Sequence, residues 1–444
     1  MKQVDVTIIG GGPGGYECAL ECARLGLKTA LIEKKAIGGT CLHRGCIPTK
    51  TWIHASDVYR DALQNESIGI HAQATFDYKQ LQAHKVQTIE TLRNGILFQM
   101  KKQKVEVYES KGSIIDAHHV RIENDTIVTK HIVVATGSSP SIPPIPGSEL
   151  AITSNELLDQ DEPLSSLCII GGGVIGVELA GVFLSLHTKV TILEALPSLL
   201  ANLDKELGQG LKQSMKKKGA DIHTSASVKS LKESDEGILV TYEEKGEKIC
   251  LAQKVLIATG RKPYTDGLFE NEKPTMNRGF IEVDEKYETS LKDIYAIGDV
   301  NGKIQLAHAA SAQGRQVARH LAGKEPLASA YVPSCIYTTP EIASIGLTKE
   351  EAKAQGIHAQ SHKALSSANG KSVLSNQERG FIKVVYEEET HRILGAQLMC
   401  ARATDMLSIF TLALEQNMTI EQIHQIIYPH PSFSEMIGNA TQIE

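Results

Sequence analysis

The sequence lacks an apolar run long enough to cross a bilayer, a block of like charge, and a second Cys/His pair that could complete a zinc site. Each absence removes a class of function. A helical span needs about 20 consecutive apolar residues, so a helical membrane protein is excluded. A formal net charge of −6 and a pI near 6.3 leave no electrostatic footprint for nucleic acid or an anionic membrane. Zinc sites built on paired cysteines need a second pair elsewhere, and none follows Cys41 and Cys46. A leader peptide is also not expected. Asp5 interrupts the short apolar run Val4–Ile9, which turns straight into glycines and reads as a first strand. Six further cysteines, at 18, 22, 168, 250, 335 and 400, are scattered along the chain. Cys18 and Cys22 fall at i, i+4 of an expected helix, where small buried hydrophobes belong. Such thiols fit a reducing compartment, with the cytoplasm as the default.

What is present begins with ordinary globular composition, 41% apolar and 22% charged over 444 residues, which is room for two to four domains. The most unusual stretch is Gly38-Gly39-Thr40-Cys41-Leu42-His43-Arg44-Gly45-Cys46-Ile47-Pro48-Thr49-Lys50. Five residues of ideal helix rise about 7.5 Å, beyond disulfide reach. If the two sulfurs meet, one cysteine sits at a helix end or on a distorted turn. Gly45 permits that distortion, and Pro48 removes a backbone donor beside it. Spacing alone leaves two readings open, a redox pair and two unrelated buried thiols.

The flanking pattern is a dinucleotide-binding unit. Val4–Ile9 reads as a strand, Gly10-Gly11-Gly12-Pro13-Gly14-Gly15 satisfies GxGxxG, Tyr16–Leu25 continues as helix, and Leu27–Ile32 is a strand ending at Glu33. Gly10 allows the tight turn, Gly12 lets backbone approach a pyrophosphate, and Gly15 lets helix and strand pack closely. The helix N-terminus offers its N–H groups to phosphate, and Glu33 stands at the right distance for a ribose 2′-OH. A helix is expected from Thr49 to about Leu63, and a longer one from about Asp77 to Lys104, with Leu81, Ile89, Leu92, Ile96 and Met100 as a core-facing stripe. Val105–Val120 and Ile127–Val134 alternate like strands, the second ending in Ala135-Thr136-Gly137. The proline-rich stretch Pro140–Pro146 then marks a boundary.

Beyond it the plan repeats. Leu167–Ile170 is a strand, Gly171-Gly172-Gly173-Val174-Ile175-Gly176 is a second GxGxxG, Val177–Leu186 is a helix, and Lys189–Leu193 ends in Glu194. Val255–Ile257 leads into a second Ala-Thr-Gly at Ala258-Thr259-Gly260. Two such units imply two cofactors brought together. A carboxylate beside the ribose favours a free 2′-OH, and Ala195-Leu196-Pro197-Ser198 supplies no base for a 2′-phosphate. NAD is therefore expected over NADP.

The combination resembles the pyridine nucleotide–disulfide oxidoreductases over essentially the whole chain, and among them the dihydrolipoamide dehydrogenases most closely. The resemblance rests on the first GxGxxG with Glu33, on GGTCLHRGCIPTK, on both Ala-Thr-Gly triplets, on Ile294-Tyr295-Ala296-Ile297-Gly298-Asp299, and on His430-Pro431-Ser432-Phe433-Ser434-Glu435. It implies an α/β fold of two Rossmann-like domains, glutathione reductase-like, plus a C-terminal α+β dimerisation domain. The FAD domain would be discontinuous, residues 1–140 and 262–332, with an NAD domain at 141–261 inserted and an interface domain at 333–444.

The resemblance also implies roles. Asp299 would hold the ribityl chain of FAD, and Gly112 would touch adenine. Ala307 would meet the flavin ring at a helix start whose partial positive charge favours the reduced, anionic ring. Gly137 belongs to the FAD side, with Lys50 and Glu178 near the reactive edge, and Val228 and Gly260 would be further NAD contacts. Cys46 would lie next to the flavin and Cys41 would attack the substrate disulfide. A cysteine with a pKa of about 8.5 is only roughly 3% ionised at neutral pH, so a base is needed. His430, stiffened by Pro429 and Pro431 and oriented by Glu435, is the candidate. In the family this pair comes from the partner subunit, so a homodimer is expected.

The chain departs from the family's usual pattern at three places. His43 and Arg44 stand where an uncharged pair is commoner, and a cation there would lower a thiolate pKa and weaken selection for a neutral substrate arm. Tyr428 replaces a frequent additional histidine, and Ala403-Thr404-Asp405 is unusual. The leading expectation is an enzyme that reoxidises dihydrolipoamide, on a lipoyl-bearing acyltransferase of a 2-oxoacid dehydrogenase complex, and reduces NAD. A reductase of glutathione or another small disulfide comes second, opposed by Glu194 because such relatives generally use NADPH. Mercuric reductase lacks support because Gly438–Glu444 holds no paired cysteines. A non-catalytic redox-responsive flavoprotein would have no need of Cys41, Cys46 and His430.

Overall fold

Both glycine fingerprints fold as their spacing requires, each at the end of a buried parallel strand. The computed structural model describes residues 2–123, 125–327 and 331–443. In the first unit Lys2–Ile9 lies between Thr29–Glu33 and Asp125–Val134, all parallel. Glu106–Glu109 extends one side, and Ile294–Ala296 pairs in parallel with Asp125–Val134 on the other. Helices cover both faces of such a sheet, so its strands are continuously apolar rather than alternating. Val6, Ile8, Leu31, Ile132 and Val133 are accordingly fully buried. The expected strand over 105–120 is instead three strands, Glu106–Glu109, Gly112–Asp116 and His119–Ile122. Asp116 accepts from the His118 N–H at 2.8 Å, and this local side-chain turn reverses the chain.

The second unit is a four-stranded parallel sheet. Its order is Asp221–Thr224, Lys189–Glu194, Ser166–Ile170 and Lys254–Ile257. An antiparallel ribbon of Ser227–Ser234, Gly237–Glu243 and Glu247–Ala252 packs over it. The chain enters this unit along Ser138–Pro140 and leaves along Arg261–Pro263, and these two short strands pair antiparallel. The return segment then supplies Ile294–Ala296 and the helix Ala307–Leu321. Gly14 and Gly314 make the crossing of that helix with Pro13–Arg24 possible. A Cβ at Gly314 would stand 2.5 Å from the Gly14 carbonyl oxygen.

The C-terminal part is a five-stranded antiparallel sheet, ordered Ser334–Ile336, Glu341–Gly346, Ile393–Cys400, Phe381–Glu387 and Ala359–Leu365. Ala403–Glu415 and Glu435–Ala440 pack on it. One apolar cluster joins the three parts. The single tryptophan, Trp52, is 1% exposed and sits 5.7 Å from the Phe183 ring and 5.8 Å from Tyr78. Ile336, Phe381 and Met399 complete that cluster from the C-terminal sheet. The long helix is Tyr78–Lys102, capped by Asp77, which accepts from the Gln80 N–H at 3.0 Å. Its expected core stripe is buried only at the ends. Leu81 and Met100 are covered, whereas Ile89 and Ile96 are half-buried and Leu92 is exposed. The two ends pack into different apolar clusters, Leu81 with Trp52 and Met100 with the core of the first unit, and the middle turns between them are left uncovered.

Candidate active site

The two fingerprints match to the hydrogen bond. Gly10 and Gly171 adopt φ of +111° and +115°, a region closed to most side chains. A Cβ at Gly10 would fall 2.2 Å from the Ala135 carbonyl oxygen, and one at Gly171 2.4 Å from that of Ala258. The Ala-Thr-Gly triplets recur because each abuts the first glycine of its fingerprint. Glu33 accepts from the Gly11 N–H at 2.7 Å and Glu194 from the Gly172 N–H at 2.5 Å. A second backbone donor, Lys35 or Leu196, holds the other oxygen of each carboxylate. Both acids are thereby fixed beside their glycine turns.

Nothing lies within 4 Å of where a Cβ at Gly173 would project, and Gly12 meets only the Gly39 Cα at 4.0 Å. The space in front of each helix, Pro13–Arg24 and Val174–Ser185, is open at the N-terminal N–H groups. A pyrophosphate fits there. Gly137 and Gly260 likewise face open space. Beyond the first fingerprint a cleft is lined by Glu33, Lys34, Lys111, Gly112, Tyr264 and Leu268. Gly112 forms part of its floor, where a Cβ would press on Ile9 and Ile32 at 3.3 Å. These observations fit a dinucleotide in each unit. Gly15 and Gly176 serve packing: a Cβ on either would fall within about 2 Å of the Gly10 or Gly171 oxygen. Val228 lies on the first ribbon strand, half-buried against the core below.

Cys41 and Cys46 are joined by a disulfide with their Cα atoms 4.6 Å apart. The required distortion is a break between two helices, Gly39–Arg44 and Cys46–Leu63, at Gly45. A Cβ there would stand 3.1 Å from the Thr40 carbonyl oxygen. Pro48 does not disturb the turn. It is the third residue of the second helix, where the missing N–H has no intrahelical partner in any case. His43 Nε2 bonds the Ile37 carbonyl at 2.9 Å, and Arg44 is exposed.

One turn after Cys46, Lys50 Nζ donates to both oxygens of Glu178, at 3.0 and 2.8 Å. Glu178 is 4% exposed on the helix after the second fingerprint. The C-terminal part closes the group: the Tyr337 N–H donates to Glu178 at 2.9 Å, and Lys50 Nζ sits 4.5 Å from the Tyr337 ring centroid. Burial raises the Tyr337 phenol above its ordinary value. On the other side, Ser138 donates to Asp299, and Arg261 donates to the Ser138 hydroxyl and carbonyl, each at 2.7 Å. Burial lowers the Arg261 pKa, partly offset by Asp299. Asp299 and Ala307 lie on the return segment, and Ala307 opens the helix Ala307–Leu321.

His430 Nδ1 pairs with Glu435 Oε1 at 2.8 Å, and Glu435 Oε2 accepts from the Ser432 N–H at 2.8 Å. That N–H and the imidazole hold the Glu435 carboxyl below its ordinary range. His430 is 79% exposed, and its one side-chain partner among the described residues is Glu435. Nearby Ile427 is 95% exposed. Tyr428 braces this loop, donating to the Ile423 carbonyl at 3.0 Å, and burial pushes its phenol up to about 12. Thr404, in the first turn of Ala403–Glu415, donates its N–H and its hydroxyl to the Glu341 carboxylate, at 3.0 and 2.7 Å.

The structure brings together Cys41 with Cys46, Lys50 with Glu178 and His430 with Glu435, the groupings that the family resemblance implied. Sequence reasoning missed Tyr337, Ser138 and Arg261. A signal for the last two existed: each directly follows an Ala-Thr-Gly triplet. No local pattern marks Tyr337.

The chain matches the pyridine nucleotide-disulphide oxidoreductase family over residues 4–314 and the family's dimerisation domain over residues 332–441. It is 37% identical to a dihydrolipoyl dehydrogenase of Bacillus subtilis, covering 99% of this chain and 97% of that one. It is 38% identical to the dihydrolipoyl dehydrogenase of Geobacillus stearothermophilus, covering 99% and 96%. Among solved structures, the HOCl-induced flavoprotein disulfide reductase RclA of Escherichia coli superposes with a TM-score of 0.89 at 29% identity, covering 98% and 99%. LpdA of Mycobacterium tuberculosis superposes at 0.91 and 25%, covering 99% of each chain. With two dinucleotide units, a disulfide between them and a dimerisation domain, this chain belongs to the pyridine nucleotide-disulphide oxidoreductases, flavoenzymes that work with FAD and a pyridine nucleotide.

Proposed function

We propose that the protein oxidises dihydrolipoamide to lipoamide and reduces NAD to NADH. The observation that carries this reading is the Cys41–Cys46 disulfide beside a Lys50–Glu178 pair drawn from the two nucleotide units. FAD, when bound, supplies a carrier that accepts two electrons from a dithiol and releases them as hydride. The chain's own groups handle sulfur and protons. A substrate thiolate attacks Cys41 Sγ, the Cys41–Cys46 bond breaks, and Cys46 leaves as thiolate. The second substrate thiol gives its proton to His430 Nε2 and displaces Cys41, closing the lipoyl disulfide. Glu435 holds Nδ1, so Nε2 is the nitrogen free to take that proton. A base so placed contributes about 10²–10⁴-fold.

FAD is assigned to Gly10, Gly12, Gly15, Glu33, Gly112, Gly137, Asp299 and Ala307, with Lys50 at its reactive edge. NAD is assigned to Gly171, Gly173, Gly176, Glu194, Val228 and Gly260. The FAD domain comprises 1–140 and 262–332, the NAD domain 141–261, and the interface domain 333–444. The dimerisation domain supports a homodimer, and the exposed His430 and Ile427 are suited to completing the partner's site. No helix of the described residues is long and apolar enough to cross a membrane. Six unpaired thiols favour the cytoplasm, where the physiological substrate would be lipoyl groups on an acyltransferase of a 2-oxoacid dehydrogenase complex.

Arg44, exposed between the cysteines, favours a second reading, a reductase for a small acidic disulfide. Steady-state assays of dihydrolipoamide, glutathione and other thiols with NAD and NADP separate the two. The proposal expects dihydrolipoamide with NAD to give the highest kcat/KM. A higher value for glutathione with NADP would refute it.

A further inference from the structure

The Lys50–Glu178 pair has a support that reaches it from behind. Tyr337, whose N–H holds Glu178 and whose ring lies against Lys50, opens the segment Tyr337–Thr339. Two residues on, Thr339 is gripped from both nucleotide units. Arg60 Nη1 donates to the Thr339 hydroxyl at 3.0 Å, and that hydroxyl donates to Asp57 at 3.3 Å. Lys218 Nζ donates to the Thr339 carbonyl oxygen at 2.6 Å, and the Ser214 hydroxyl reaches the same oxygen at 3.3 Å.

Each grip comes from an element tied to the pair. Arg60 and Asp57 lie on Cys46–Leu63, the helix that carries Lys50, and the ten residues from Lys50 to Arg60 span about 15 Å of helix. Lys218 ends the helix Lys205–Lys217, which carries Ser214. That helix belongs to the second unit, as does Val174–Ser185 with Glu178. The grips are charge-balanced. Arg60 pairs with Asp57 at 2.6 Å and Asp61 at 3.0 Å, and Lys218 pairs with Glu378 at 2.6 Å. Glu378 also accepts from the Ser214 hydroxyl at 2.6 Å. Burial lowers the Lys218 pKa, with Glu378 opposing it.

Packing does not do this work instead. Tyr337, Thr338 and Thr339 line a cavity shared with Glu178, Gly181 and Met215. With that side incompletely filled, the polar contacts decide where the segment stands.

We propose that Arg60 and Lys218 are positioning residues for hydride transfer: by clasping Thr339 they set Tyr337, and through Tyr337 the Lys50–Glu178 pair. This rests on the placement of Lys50 at the reactive edge of the flavin. Glu178 Oε1 accepts from both Lys50 and the Tyr337 N–H. Without the Tyr337 donor the carboxylate can turn together with the lysine. A shift of Tyr337 moves donor and ring at once, so Lys50 loses its aim from two sides. A misplacement of about 1 Å can cost about 100-fold even when its origin is remote from the chemistry.

The test is stopped-flow reduction of the bound flavin by NADH in the full-length holoenzyme. Lys218→Met should lower the limiting rate about 5–20-fold, with the NADH concentration for half-maximal rate unchanged. Lys218→Arg, which keeps a cationic donor, should restore most of that loss. Adding Lys218→Met to Glu178→Gln should slow the reaction no further, because the pair through which Lys218 acts is already broken. A merely structural role would instead multiply the two losses. Thr339→Val keeps every charge and the carbonyl that Lys218 uses, removes the hydroxyl held by Arg60 and Asp57, and should cost about threefold. Wild-type limiting rates in Lys218→Met and Thr339→Val would overturn the proposal, as would multiplied losses in the double variant. If Lys218→Met loses its flavin, a wild-type rate in Thr339→Val is alone enough to overturn it. Only NADH and flavin react in this assay, so the outcome does not depend on which disulfide the enzyme serves.

Discussion

Replacing Glu178 by Gln tests whether the ion pair between the nucleotide units is what holds Lys50 in place. The carboxylate is 4% exposed and takes two hydrogen bonds from Lys50 and one from the Tyr337 N–H. Gln retains an acceptor for Tyr337 but presents an NH₂ group to an ammonium. Breaking a fully buried pair costs about 3–5 kcal/mol. The Lys50 side chain is 34% exposed, so the freed ammonium can rehydrate, and the stability loss should be only about 1–2 kcal/mol. Catalysis should suffer more, because Lys50 loses its fixed position one turn after Cys46. Turnover with dihydrolipoamide and NAD should fall about 10–100-fold, with substrate KM little changed. A double-mutant cycle with Lys50→Met, read by denaturant unfolding and by kcat, should give a coupling of about 1 kcal/mol or more. Wild-type turnover in Glu178→Gln, or additive single-variant effects, would refute the reasoning.

Mixing Cys41→Ser chains with His430→Gln chains tests the composite site. If His430 serves the partner's cysteines, a random mixture of dimers should recover about one quarter of wild-type activity, since each heterodimer keeps one intact site. Recovery of none would show that each chain uses its own base. Gly10→Ala would put a Cβ 2.2 Å from the Ala135 carbonyl oxygen at φ +111°, and the purified variant should carry little flavin by its visible absorbance. Gly171→Ala, with the same conflict at Ala258, should remain yellow but bind NAD poorly in a titration. Glu270 bonds Arg121 through two nitrogens and accepts from Ser113, which lower its pKa from 4.5 to about 2, Arg121 contributing most. A depressed carboxylate stabilises fully above its unfolded pKa and loses that contribution as pH falls through the folded value. Urea midpoints for Glu270→Gln should therefore approach those of the wild type between about pH 4.5 and 2.

Much of the fold was legible because its signals are local. A strand, a glycine turn, a helix and an acid occupy about thirty residues, and the first and last glycines of each fingerprint answer contacts within that span or with the Ala-Thr-Gly triplet. The spacing of Cys41 and Cys46 left two readings open and only the family resemblance joined them as a couple; Gly45 rather than Pro48 makes the break. What stayed hidden is what distant segments do to one another. Tyr337 reaches Glu178 from 159 residues away, and Trp52 is covered from both nucleotide units and the C-terminal sheet. The stripe on Tyr78–Lys102 has helical spacing, but periodicity does not say which turns are covered, and Leu92 lies between the two clusters that bury Leu81 and Met100.

The pairing of Ser138–Pro140 with Arg261–Pro263 carries one more consequence. Because the chain departs and returns through the same doorway, the intervening segment is a cassette whose two ends are already neighbours. Its host sheet needs no rearrangement to accommodate such a passenger. Joining Ser139 directly to Lys262, which face each other across the doorway, would restore an uninterrupted host, so an architecture with two nucleotide clefts can arise by copying one and slotting the copy into a hairpin-sized gap.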